Sequence, residues 1–133
     1  MRIRVISSTD EFESLKQTEN IIHLAFRPSN TDIFSIVTKC PKLKAIQIPP
    51  SYKKTISKTT ITFLEMQGIK LLEGDVWGHR KDLNEYSEVS PNIYDRINEL
   101  RQSGMNDSDI ADKMSRETRL NSDFVYFLLT YNN

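Results

Sequence analysis

The chain has 133 residues, 18 basic and 18 acidic side chains, a formal net charge of zero and 38% hydrophobic residues, the balance of an ordinary soluble globular protein. Neutrality argues against coating nucleic acid by bulk charge but leaves room for a local patch. No apolar run approaches the ~20 residues that span a bilayer, so no membrane association is expected. Cys40 is the only cysteine and there are two histidines, which excludes an intrachain disulfide and argues against a metal site. The start at Met1 is too soon interrupted for a signal peptide, and a cytoplasmic location is expected.

Arg2–Ser7 alternates and is rich in β-formers, which predicts a first strand. Ser8-Thr9-Asp10-Glu11 offers a helix cap with acids in the first turn. Ile21–Phe26 is a continuous apolar run, as expected of a strand buried on both faces of a parallel sheet. Asn30 or Thr31 can cap a helix that points Ile33, Phe34, Ile36 and Val37 inward and closes at Pro41. Leu43–Ile48 reads as the third strand, 51–67 as one long helix ending at Gly68, and Ile69–Val76 as the fourth strand. Alternation of this kind predicts an α/β fold, a four-stranded and mainly parallel sheet with flanking helices, over residues 1–89. Asp82–Val89 reads as a hinge.

Residues 90–133 change character and predict a three-helix unit docked on the sheet or on a second subunit. Ser90-Pro91 opens the first helix, Gly104 ends it, Asn106 caps the second, and Asn121 or Ser122 starts the third. The first two helices resemble those of helix-turn-helix DNA-binding domains. The third departs from them. From Ile110 to Val125 is 15 residues, about a helical turn more than a tight entry into a recognition helix needs. Asn121–Tyr131 holds no Lys or Arg, and residues 90–133 carry five basic against seven acidic side chains, a net of −2. DNA readers need cations for phosphates, so a packing or dimerisation helix is the expectation.

Three apolar runs end at polar, cationic clusters: Arg27-Pro28-Ser29-Asn30, Ser51-Tyr52-Lys53-Lys54, and Trp77-Gly78-His79-Arg80-Lys81. In a parallel sheet these ends share one edge, where open α/β sheets bind ligands. No acid lies between Asp32 and Glu65, an interval that contains six lysines. The candidate ligand contacts are therefore Arg27, Ser29, Ser51, Tyr52, Lys53, His79 and Arg80. The ligand expected is a phosphate-bearing molecule or nucleic acid, with no cofactor and no metal. His79, oriented by Asp75 or Asp82, is the one candidate acid/base. No nucleophile with a defined partner accompanies it, which favours a non-enzymatic binding or regulatory protein. The alternatives are a small hydrolase or transferase using His79 on a phosphorylated substrate, and a DNA-binding regulator working through a divergent helix-turn-helix. His23, inside an apolar strand, reads as a satisfied core histidine, and Cys40 as a buried structural thiol.

The strings Ala25-Phe26-Arg27-Pro28-Ser29-Asn30, Pro50-Ser51-Tyr52 and Gly74-Asp75-Val76-Trp77-Gly78-His79-Arg80-Lys81-Asp82 resemble a family of short archaeal proteins from Methanosarcina-type methanogens, a domain of unknown function. The resemblance covers nearly the whole chain and implies an archaeal, cytoplasmic protein. It implies no activity and carries no catalytic residue across.

Overall fold

A computed structural model describes residues 2–76 and 85–131. Its centre is a five-stranded sheet in the order β4-β3-β2-β1-β5. The strands are β1 (Arg2–Ile6), β2 (Ile21–Leu24), β3 (Ala45–Ile48), β4 (Lys70–Glu73) and β5 (Tyr86–Glu88). The first four are parallel, with Ile22 between Arg4 and Ile46 and with Ile46 beside Leu71. A 3-10 helix (Thr9–Ser14) follows β1, α1 (Asn30–Lys39) follows β2, and α2 (Pro50–Lys53) and α3 (Lys58–Met66) follow β3. The helices α4 (Pro91–Gln102), α5 (Asp107–Glu117) and α6 (Ser122–Tyr131) end the chain.

Each parallel strand lies beside the one before it, so successive right-handed crossovers all advance in one direction and place their helices on one face. That face buries Ile6, Ile22, Leu24, Ile46 and Ile48 against Ile33 and Ile36 of α1 and Leu64 of α3. The opposite face, with Ile3, Ile21, Ala45 and Leu72, receives no crossover. It is covered by Phe124, Phe127 and Leu128 of α6. A third cluster holds α4, α5 and α6 together through Ile97, Leu100, Ile110, Met114, Val125 and Leu129. The apolar load of α6 is thus divided between its sister helices and the sheet.

Two predicted elements differ. The long helix expected over 51–67 is two helices, because the Ser57 hydroxyl accepts from the Thr60 N–H and starts α3 afresh. The stretch read as a hinge contains β5, antiparallel to β1 with Arg2 opposite Glu88. Three residues give too little pattern for a periodicity argument. The strand is held by tertiary contacts: the Val5 N–H donates to the Glu85 carbonyl at 2.9 Å, and the Tyr86 hydroxyl donates to Glu19.

Candidate functional site

The carboxyl edge of the sheet collects the ends of β2, β3 and β4. At its α1 corner the Arg27 guanidinium sits 5.6 Å from the centroid of the Tyr52 ring. Ser29 is engaged as the α1 cap: its hydroxyl accepts from the Asp32 N–H at 3.1 Å, while Asp32 accepts from the Ser29 N–H at 2.8 Å. The Asp32 carboxylate thereby occupies the helix end that an anion would seek. Lys53 is drawn to Glu73 at 3.6 Å, and Ser51 is exposed. Asn30 ties the corner to α3, accepting from the hydroxyls of Ser57 and Thr60. Arg27 and Tyr52 come together, then, while Ser29 and Lys53 spend their polar atoms on the protein itself. His79 and Arg80, with Trp77, lie outside the described residues. The strand order never reverses among β1 to β4, so this sheet has no topological switch point to open a crevice there.

A concavity lies along the same edge on the α6 side. An open cleft of about 570 Å³ is walled by Pro50, Gly74 and Asp75 from the strand ends and by Ser115, Arg119, Leu120 and Asn121 from the end of α5 and the turn into α6. An inner chamber of about 260 Å³ shares Asp75, Arg119 and Leu120 with it and continues between sheet and helices, past Gln47, to Val89, Ile93 and Phe124. Volumes of this order suit a small molecule.

A buried polar pair stands behind the chamber. His23 and Gln47 are each 1% exposed, and His23 Nδ1 lies 2.8 Å from Gln47 Oε1. A carboxamide oxygen only accepts, so this contact fixes a proton on Nδ1 and turns the Gln47 amide nitrogen away from the histidine. That nitrogen stands 2.6 Å from the place a Cβ on Gly74 would occupy, and Asn121 Cβ stands 3.1 Å from it. Gly74 also has φ +153°, where a side chain is strained. A glycine here lets the strand end approach Gln47 and the start of α6 at once. Asn121 in turn caps α6 through its side-chain oxygen, which accepts from the Asp123 N–H at 2.9 Å.

His23 is buried, as its place in an apolar strand leads one to expect, and Gln47 is its partner. The available signal was two polar residues placed centrally in otherwise apolar strands. Arg119 and Asn121 carried no signal, because their position beside Gly74 exists only once α6 is docked. Cys40 is buried, and burial foremost, with Glu19 adding to it, pushes its thiol from 9.0 up to about 11, which suits a structural residue rather than a nucleophile. Among the described residues no group of three or more His, Cys, Asp or Glu side chains could hold a metal ion. No described helix is long and apolar enough to cross a membrane.

Two family models match the chain. One, described as the N-terminal domain of a family of unknown function (DUF1699), matches residues 2–85. The other, described as a DUF1699 C-terminal HTH domain, matches residues 92–130. No curated protein and no solved structure matches it.

Proposed function

Since the chain belongs to the DUF1699 family, with a helix-turn-helix-type domain at its C-terminus, we propose that it is a non-enzymatic regulatory protein. In this reading a small ligand with an anionic group binds at the carboxyl edge, and the helical half responds. One observation carries the reading: the cleft is walled jointly by the strand ends, at Gly74 and Asp75, and by the turn into α6, at Arg119 and Asn121. Whatever fills it touches both halves, so its binding energy differs between docked and undocked α6, which is the requirement for a ligand to shift that equilibrium. Melting midpoints in the presence of inorganic phosphate, acetate or a mononucleotide test this. At least one should raise the midpoint, because a ligand at 100 times its Kd stabilises by about 2.7 kcal/mol. If none of the three moves the midpoint, the reading fails.

The family description favours a second reading, DNA binding through residues 92–130. In the docked state α6 exposes Asp123, Tyr126 and Thr130, turns Phe124, Phe127 and Leu128 to the sheet and Val125 and Leu129 to α4 and α5, so a groove-reading role requires α6 to leave the sheet. Duplex titrations over a range of salt concentrations decide between the two. A salt slope that falls by about 0.9 in Arg116→Ala would establish phosphate contact by the helical half.

A further inference from the structure

We infer that β4 is a self-association edge: two copies of the chain pair their β4 strands antiparallel about a two-fold axis at Leu72. The inference stands apart from both readings above. β4 ends the sheet, with no described strand beyond it. The Lys70 N–H donates to the Lys44 carbonyl at 3.0 Å and the Gly74 N–H to the Ile48 carbonyl at 3.1 Å. Backbone groups alternate sides along a strand, so those of Leu71 and Glu73 point away from β3, out of the sheet edge. Such an edge is a template for another strand unless charge, proline or a cover blocks it. A groove of about 550 Å³ runs between β4 and α6, with Leu71, Leu72, Tyr126 and Phe127 in its wall. Tyr126 is 49% exposed, so a strand added here covers apolar surface as well as completing backbone hydrogen bonds.

Charge selects a second copy as the occupant. The groove wall carries two charged side chains, Lys70 and Asp123. Both are exposed, and neither has an ion-pair partner among the described residues. They mark opposite ends of the edge. Lys70 opens β4, whereas Asp123 stands in the first turn of α6, whose start at Asn121 lies against Gly74, just past the other end of β4. With Leu71 opposite Glu73 and Leu72 opposite Leu72, an antiparallel copy exchanges backbone hydrogen bonds at Leu71 and Glu73. The same register sets Lys70 opposite Gly74 of the second copy, and so beside its Asp123, and two-fold symmetry forms both pairs at once. A copy laid parallel brings Lys70 to Lys70 instead. Asp75, exposed beyond Gly74, adds to the negative end that Lys70 meets. The other charge on the strand, Glu73, lies on the opposite face from Lys70 and is already drawn to Lys53 at 3.6 Å. An axis normal to the sheet preserves its faces, so both helical units fall on one face of the joined sheet, a symmetry that a duplex with inverted half-sites shares.

The test is sedimentation of the whole protein from micromolar to millimolar concentration. A reversible monomer–dimer equilibrium is expected, weaker at high salt. Lys70→Glu sets acid against acid at both ends of the contact and should weaken the dimer by roughly tenfold. Combining Lys70→Glu with Asp123→Lys swaps the charges and should restore it. Glu73→Pro removes an outward N–H without touching the bonds to β3, and should abolish the dimer. Circular dichroism and melting midpoints of each variant separate dissociation from unfolding. The charge variants stand at exposed positions and carry the test by themselves if Glu73→Pro does not fold. A parent that stays monomeric at millimolar concentration overturns the proposal. So does a dimer that Lys70→Glu leaves unchanged, or one that the charge swap fails to restore. A dimer still formed by folded Glu73→Pro uses another surface and overturns it as well.

Discussion

Arg4 is the least expected side chain of the molecule. It lies on a strand whose alternation suggests an outward basic face, yet it is 1% exposed. It faces Glu19, itself 5% exposed, at 3.5 Å and Glu85 at 3.2 Å, and donates to the Ser14 hydroxyl at 2.7 Å. Tyr86 closes the group: its hydroxyl donates to both Glu19 oxygens, and its ring lies under the Arg2 and Arg4 guanidinium groups. The Arg4 Nε and Nη1 atoms make no hydrogen bond, so the charge is held by proximity more than by directed bonds. A buried ion that loses its partner destabilises strongly, typically by 3–5 kcal/mol. Glu19→Gln should therefore lower stability by about 3 kcal/mol, toward the low end because Glu85 still faces Arg4. Urea unfolding of the variant beside the parent measures it, and a loss within about 0.5 kcal/mol, the range of an ordinary surface change, would contradict it. The same group explains why so short a strand as β5 pairs at all.

At the scale of elements, α4 and α5 are clasped by a two-point ion pair. Arg96 Nε and Nη2 donate to the two Glu117 oxygens at 3.0 and 2.8 Å, and Arg96 also reaches Glu99. The guanidinium hydrogen bonds hold the Glu117 carboxyl down at about 2, from an ordinary 4.5. A folded-state value below the unfolded one means the stabilisation is complete above the unfolded value and is lost as pH falls through the folded one. The clasp should thus weaken from about pH 4.5 down toward pH 2. The pair is solvent-facing, so added salt should shrink the effect. Melting midpoints of Glu117→Gln and parent, compared at pH 6 and pH 3, should converge as the pH falls; a constant gap would show the pair contributes nothing. Helix caps act at the same scale. Ser29, Ser57, Ser90 and Asn106 each accept from an N–H in the first turn of the helix that follows, which is why four helix starts fall where capping residues stand.

Over the whole molecule the one-directional winding of β1 to β4 has a consequence for cooperativity. A sheet with all its crossovers on one side leaves the other side apolar and bare, and here the C-terminal helices supply the missing layer. Phe127 is central to that layer: 7% exposed, stacked on Phe124 at 6.4 Å and tilted against Tyr131 at 5.2 Å. Because one cluster joins β1, β2, β3 and β4 to α6, sheet and helices should unfold together in one transition, with calorimetric and van't Hoff enthalpies equal. Phe127→Ala should lower stability by about 3–5 kcal/mol through lost burial and the cavity left behind. It should also broaden or split the calorimetric transition as the halves uncouple. A single sharp transition with an unchanged midpoint in that variant would mean that α6 contributes nothing to the coupling.

Much of this architecture stood in the chain itself. The order of strands and helices through Glu73, apart from the division of 51–67 into two helices, follows from apolar runs and caps, since both are local signals: buried strands need consecutive apolar side chains, and helix starts need a side-chain acceptor. The absence of cations and the abundance of aromatics in α6 read as a packing helix, for the sheet or a second subunit; Phe124, Phe127 and Leu128 lie in one cluster with sheet residues. What the chain alone left open were juxtapositions of residues distant in sequence. Glu19 meets Tyr86 across 67 residues, and Gly74 meets Asn121 across 47, and neither contact leaves a trace in spacing or composition. The predicted edge cluster shows the same limit from the other side. Ser29 and Lys53 reach the edge that parallel strands require, but whether their polar atoms are free for a ligand depends on Asp32 and Glu73, whose competing bonds only the tertiary structure decides. The cleft itself forms only where the bare face of the sheet meets α6, because a concavity belongs to two surfaces at once and no single stretch of chain encodes it.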